Sequence, residues 1–302
     1  MKRVLITGGT GLLGKALVET KGGACFVVAT YKGNYKMNDT AQIEYRELDI
    51  VDKDGYKKLF EEVKPEVVIH TASIGSPDYS EQHQEETWQI NVGGTINICE
   101  LCNDFEANLV YVSSNGIYDG KNAPYSEENK AIPINYYGKV KLEGENIVKK
   151  VKNPYAIVRP ILMYGWNYPY ERANIITITL SKLHKGENVY AYKDVFSNPL
   201  LSTSCAQAIW KIIMEEKYDV YNIAGENIVS IYEFVCKAAE IFGLNKDLIK
   251  PVTQGFFNEL VRRPTNTSYR TDKMEARLKL KPLSLSEGLQ VMRDELLKGE
   301  GF

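Results

Sequence analysis

Cysteine and histidine are scarce in this chain, neither sign of charge is in excess, and no long apolar run occurs. Five cysteines (Cys25, Cys99, Cys102, Cys205, Cys236) and three histidines (His70, His83, His184) in 302 residues are too scattered for a disulfide frame or a metal site of ordinary ligand spacing. Their odd, sparse set predicts reduced thiols in the cytoplasm, and no metal is assigned. Cys99 and Cys102 spell C-x-x-C, but no second pair follows and both fall in a helical pattern with Ile96, Ile98 and Leu101. They read as small core residues. With 37 basic against 39 acidic residues and a net charge of −2, the chain lacks the basic surplus that nucleic acid or anionic lipid requires. No stretch approaches the ~18 apolar residues of a membrane span. The start, MKRVLITGG, has only a short apolar stretch before its glycines, so neither a secretory leader nor a membrane anchor is expected.

What is present is enough apolar matter, 44% of residues, to fill a sizeable core, arranged in two textures. Through the first half, strand-length apolar runs at 2–7, 25–31, 43–49, 66–71, 108–114 and 154–159 alternate with helical patterns at 11–20, 52–63, about 80–103 and 135–151. Repeated βαβ units of this kind imply a doubly wound parallel sheet buried on both faces. After Arg159-Pro160 the rhythm gives way to a loop rich in Tyr, Pro and Asn (Met163 to Tyr170), then to mixed helices and short strands. The expected fold class is therefore α/β. A dinucleotide-binding domain of Rossmann type spans 1–160, and a smaller, irregular substrate lobe spans 161–302, with some strands and helices free to return to the first domain. The lobe is expected to close over the carboxyl edge of the sheet, where open α/β sheets bind ligands.

The first strand runs into Thr7-Gly8-Gly9-Thr10-Gly11-Leu12-Leu13-Gly14 and then a helix. Glycines at 8, 11 and 14 permit a tight turn, let backbone N–H groups approach a pyrophosphate and bring helix and strand close, while the helix N-terminus supplies positive potential. Thr10, Leu12 and Leu13 belong to the same cradle. NAD-selective sites usually place an acid some 20 residues further on, at the end of the second strand. Here that stretch reads Ala29-Thr30-Tyr31-Lys32-Gly33 and carries no carboxylate. Thr30 can donate to a 2′-phosphate and Lys32 can pair with it, which favours NADP(H) over NAD(H); otherwise Lys32 is a solvated turn residue. Asp49, before Ile50 at the end of the third strand, either caps the following helix or reaches the adenine.

Carbonyl reduction also needs a proton donor beside the substrate oxygen. Tyr137 and Lys141 lie four apart on a helical pattern, so an ammonium can sit near the phenol and lower its pKa. Spacing alone proves little, since 20 tyrosines and 28 lysines give roughly two Y-x-x-x-K matches by chance, and two occur: Tyr137-Lys141 and Tyr269-Lys273. Context selects the first, because its helix follows a strand ending in Ser113-Ser114, at the ligand-binding edge, where a serine hydroxyl can orient a carbonyl.

Taken together, ITGGTGLLG (6–14), LDI (48–50), KPEVVIHTAS (64–73), INVGGT (90–95), LVYVSSNGIYDG (109–120), PYSEE (124–128), YYGKVKLEGE (136–145) and RRPTNTSYRTDKME (262–275) resemble the extended short-chain dehydrogenase/reductases, and within them the dTDP-4-dehydrorhamnose reductases, over nearly the whole chain. The resemblance implies that Ser114 orients the carbonyl, Tyr137 is the acid, Lys141 holds the nicotinamide ribose and tunes the tyrosine, and Asn91 is the fourth, supporting position. It implies cofactor contacts at Asp49 and Ile50 and at Thr71, Ala72 and Ser73, a nucleotide-sugar substrate, and a homodimer seamed by the helices around 90–103 and 135–150. Arg262 and Arg263 either grip a nucleotide diphosphate or form surface ion pairs, and Asn174 is either a helix N-cap or a diphosphate contact. Where the reductases usually read S-T-D-Y-V-F-D-G, this chain has Ser113 to Gly120 as SSNGIYDG, and the loop from Ser73 to Tyr79 differs as well. Asn115-Gly116 argues against a 4,6-dehydratase, which resembles this family but places carboxylates after its Ser or Thr. Two other functions fit the pattern. One is a nucleotide-sugar 4-epimerase with tightly bound NAD. The other is a regulatory subunit like the β subunit of methionine adenosyltransferase, which resembles the same reductases and binds NADP.

Overall fold

The apolar runs of the first half pair edge to edge in a computed structural model that describes every residue except 34, 36, 258, 259 and 300–302. Strands β1 (Lys2–Thr7), β2 (Cys25–Tyr31), β3 (Ile43–Glu47), β4 (Val67–His70), β5 (Asn108–Val112) and β6 (Tyr155–Pro160) join β7 (Val220–Ile223) in one sheet, in the order β7-β6-β5-β4-β1-β2-β3. Every neighbouring pair is parallel. The order reverses on either side of β1, so a crevice opens at the carboxyl ends of β1 and β4, where Thr7 stands beside His70.

Alternation along the strands sends side chains to two cores. Val4 and Ile6 face α1 (Leu12–Glu19) and, from the later part of the chain, a helix at Ser202–Met214 whose Trp210 donates to the Leu17 carbonyl at 3.0 Å. Leu5, Val28 and Val68 face α2 (Lys53–Val63), α3 (Gly94–Asp104) and α4 (Tyr136–Val148). Cys99 and Cys102 are buried in this second core, and burial pushes both thiols upward, Cys99 to about 12. A third core lies among α5 (Ile175–His184), the helix Ile231–Ile241 and the helix Leu285–Leu297, around Tyr164, Phe234 and Leu289. Residues after 160 thus divide. Some build this lobe, while Ser202–Met214 and β7 return to the main sheet.

The single helix expected over about 80–103 is interrupted. It begins at Pro77, where Ser76 accepts from the Tyr79 N–H, breaks at His83, resumes at Gln84–Trp88 and opens into a wide π turn over Gln89–Gly93 before α3. Non-helical backbone at His83 ends the first piece. The wide turn carries Asn91 toward the loop after β4, where its side chain brackets Ile74, accepting from that residue's N–H at 2.7 Å and donating to its C=O at 3.0 Å. Turns of this kind recur at functional sites.

Candidate active site

A cavity of about 1020 Å³ runs along the carboxyl edge of the sheet, between it and the later lobe. At one end lies the glycine turn. Gly8 has φ +72°, and a Cβ there would come within 2.9 Å of the Ala72 backbone; a Cβ on Gly14 would collide with the Gly8 carbonyl. Helix α1 therefore starts hard against β1, with Gly11 as its N-cap, no capping side chain and no acid in its first turn. This first turn lines the cavity through Gly11, Leu12, Leu13 and Gly14, beside Gly8 and Thr10. A glycine turn leading into an uncapped helix N-terminus fits a dinucleotide diphosphate. Thr71, Ala72 and Ser73 line the same end, as do Tyr31, Lys32, Asp49 and Ile50.

At this end the Thr30 expectation is corrected, and one of the two alternatives for Asp49 is set aside. Thr30 is fully buried and does not line the cavity: its side chain points to the α2 face, 2.6 Å from the Tyr56 hydroxyl and 3.4 Å from the Ile6 carbonyl it donates to. Asp49 is not the cap of α2, a task performed by Asp52, which accepts from Gly55 N–H at 2.9 Å. Instead Asp49 pairs with Lys32 at 2.6 Å. A carboxylate thus reaches the rim after all, from the neighbouring strand.

At the middle of the cavity stand Ser114, Tyr137 and Lys141. Asn135 accepts from the Gly138 N–H at 2.9 Å and starts α4 there, so Tyr137 falls in its first turn and Lys141 one turn later. Ser114 leaves β5 and accepts from the Gly116 N–H at 3.0 Å. Burial raises the Tyr137 phenol above its ordinary value, with a hydrogen bond to Ser114 and the Arg172 guanidinium pulling the other way. Lys141 is not among the groups that pull the phenol down here; its Nζ donates to the Val112 carbonyl at 2.6 Å and lies 4.9 Å from the Tyr111 ring centroid. Burial brings that ammonium down to about 8. One turn further, Glu145 is fully buried and receives Arg159 through two bonds, at 2.8 and 2.7 Å, with Ser113 donating at 2.6 Å. This pair fixes α4 to β5 and β6 behind the site.

Asn91 does not line the cavity; it acts on Ile74, which does. Behind it, the Thr95 hydroxyl donates to the Asn91 carbonyl at 2.6 Å and lies 3.0 Å from His70 Nε2, whose Nδ1 is 2.8 Å from Thr7 Oγ1. Burial pulls His70 down to about 3, so it is a neutral strut between β1 and the wide turn. Asn91 thus holds the loop after β4 at Ile74.

On the far side, Arg263 lines the cavity and pairs with Asp78 at 2.5 Å. Arg262, its expected partner, is exposed and outside the lining. Asn174 does reach the cavity, but its side chain is committed to a capping box at the start of α5 and to the Gly165 carbonyl at 2.7 Å. The N-cap role is thus observed. Glu171, Arg172, Lys182, Ser197 and Thr267 also line the cavity and were not singled out from the sequence; an adjacent acid and base in the Tyr-rich loop was the available signal for the first two. Among the described residues, no group of three or more His, Cys, Asp or Glu side chains is arranged to hold a metal, and no helix is long and apolar enough to cross a membrane.

Sheet order, glycine cradle and the serine, tyrosine and lysine at the ends of β5 and α4 define an extended short-chain dehydrogenase/reductase. Within that class the chain belongs to the family described as RmlD substrate binding domain, whose profile matches residues 1–298. It is 28% identical over 280 residues to methionine adenosyltransferase 2 subunit beta of Rattus norvegicus, covering 91% of this chain and 82% of that one. Identity to the dTDP-4-dehydrorhamnose reductase of Aggregatibacter actinomycetemcomitans is 27% over 306 residues, covering 97% and 99%. Among solved structures, the dTDP-4-dehydrorhamnose reductase of Bacillus anthracis in complex with NADP superimposes with a TM-score of 0.86 at 26% identity, over 98% of this chain and all of that one.

Proposed function

We propose that this protein is an NADP(H)-dependent reductase of a nucleotide-activated 4-keto-6-deoxy sugar, of the dTDP-4-dehydrorhamnose reductase kind. The observation that carries the reading is the convergence of the Tyr137 hydroxyl, Ser114 and the glycine cradle on one cavity. When bound, the nicotinamide supplies a hydride to the keto carbon. Tyr137 gives the oxygen its proton, and a phenol whose pKa is raised by burial is protonated at neutral pH and ready to donate. Ser114 holds the carbonyl toward it. Lys141, steadied by the Val112 carbonyl, offers its remaining donors to the ribose, while the first turn of α1 holds the diphosphate. Lys32 at the rim favours NADP(H), against the pull of Asp49, with NAD(H) the alternative. Arg263 serves the nucleotide portion of the substrate. We further assign the protein to the cytoplasm, in keeping with five free cysteines, and to a homodimer through the helices around 90–103 and 135–150, where Trp88 and Ile96 stand exposed nearby.

The test is a panel of nucleotide 4-keto sugars with NADPH or NADH, followed at the nicotinamide absorbance. Oxidation of NADPH by one of them is the expected result; a 4-epimerase would instead copurify with NAD and interconvert sugars without net turnover of added cofactor. The likeness to methionine adenosyltransferase 2 subunit beta supports a second reading, a regulatory subunit that binds NADP. No turnover on any keto sugar, together with copurification of a methionine adenosyltransferase, would favour it.

A further inference from the structure

The segment between Gly165 and Asn174 crosses from the later lobe to the glycine turn as a strap. Its Tyr170 ring stacks on Tyr35, with centroids 4.0 Å apart and planes at 17°, and on Tyr168 at 5.4 Å and 9°. The Tyr170 hydroxyl donates to Met37 Sδ at 3.0 Å. From α1, Lys15 Nζ lies 5.6 Å from the Tyr168 ring centroid. Asn167 braces the strap from within, donating to the Tyr168 carbonyl at 2.8 Å and the Glu171 carbonyl at 3.3 Å. Aromatic and polar contacts thus seat the strap against Tyr35 and Met37 and against Lys15 of α1.

One contact differs in kind. The Thr10 hydroxyl donates to Glu171 Oε1 at 2.5 Å, within the glycine turn. Glu171 lines the cavity with Gly8, Gly11 and Leu12. Because α1 has neither a capping side chain nor a first-turn acid, Glu171 is the one carboxylate hydrogen-bonded to this turn among the described residues. A helix N-terminus favours negative charge within its first turn, and the same place attracts a diphosphate. Two anions held there together repel.

We propose that Glu171 sets the affinity for the dinucleotide by holding the place of its diphosphate. The carboxylate, held by the Thr10 hydroxyl, keeps the strap docked at the turn, and the diphosphate must displace it to bind. This rests on the cavity being a dinucleotide site. The binding-competent state is then only a fraction of the free protein, and apparent affinity falls by that fraction.

Dissociation constants of the full chain for NADPH, ADP and adenosine, measured by titration calorimetry, test it. Glu171→Gln keeps the size and a hydrogen-bond acceptor for Thr10 but removes the charge; Glu171→Ala removes the contact. NADPH and ADP are expected to bind about tenfold tighter to both variants, and adenosine, which has no phosphate, equally to all three proteins. Unchanged or weaker NADPH binding in the variants, beside normal binding to the wild type, overturns the inference alone. So does an equal gain for adenosine, which would mark a merely structural loosening. Failure of all three proteins to bind NADPH overturns the dinucleotide reading and this inference with it. Matching thermal melting curves confirm that the variants fold.

Discussion

The chain contains two tyrosine–lysine pairs of identical spacing whose surroundings could hardly differ more. Tyr137 opens a true helix at the carboxyl edge of the sheet, beside Ser114 and on the cavity. Tyr269 lies in extended chain ahead of the helical residues that include Lys273; its backbone is bonded on both sides by Asn198 at 3.0 Å, and its ring meets Tyr118 edge-on at 6.0 Å. Lys273 pairs with Asp219 at 2.9 Å, over the Tyr221 ring. Neither member of this second pair lines the cavity. Four-residue spacing therefore brings two groups to one face only where a helix exists, and gives them chemistry only where that helix begins at a sheet edge.

Exchanging single groups sharpens this contrast. Tyr137→Phe is expected to lower kcat roughly 10²–10⁴-fold with the fold kept, and Tyr269→Phe to leave it within about twofold; equal losses in a steady-state NADPH assay would break the comparison. Stability should separate the supporting ion pairs next. Glu145→Ala strands the Arg159 guanidinium in the interior at a cost of about 3–5 kcal/mol, whereas Asp219→Ala, at the partly exposed Lys273 pair, costs about 1 kcal/mol or less. Urea unfolding midpoints would show it.

Lys141 gives an effect of intermediate size, with a pH signature. Its pKa falls from the ordinary 10.5 to about 8 in the folded state, so between those values the unfolded chain binds more protons and wild-type stability rises with pH. Below pH 8 the folded protein must hold a buried cation. Lys141→Met should accordingly melt higher than wild type near pH 7, by on the order of 1–3 kcal/mol, with the gap narrowing as pH climbs through that window. A gap that does not change with pH counts against the assignment. Smallest is the effect of an exposed lysine: Asp49→Asn frees Lys32 and should raise the preference for NADPH over NADH by about fivefold, read as a ratio of kcat/KM values; no change would leave Lys32 a solvated turn residue.

Much of the nucleotide half was legible because its rules are local. Apolar runs of strand length, helices between them and glycines at one strand–helix junction specify both the sheet and the cradle. Errors arose where contacts are distant. Thr30 lies in the right strand, yet its side chain falls on the face toward Tyr56, and nothing in the spacing announces that Asp49 will lean across from the next strand. Lys141 is near Tyr137 in helical register, but the Val112 carbonyl, 29 residues away, claims its ammonium. The substrate side was harder still. Glu171 meets Thr10 across 161 residues of chain, and of two neighbouring arginines the fold admits Arg263 and turns Arg262 outward.

One strand of the sheet has a consequence for how the molecule is made. β6 is flanked on its outer side by β7, which comes from well beyond Pro160. A nascent or truncated polypeptide that stops at Pro160 presents β6 as a bare, apolar margin, the kind of surface that recruits strands from other molecules. Until Val220–Ile223 leaves the ribosome, the growing protein carries an adhesive side, and chaperone engagement should be greatest over that interval of synthesis.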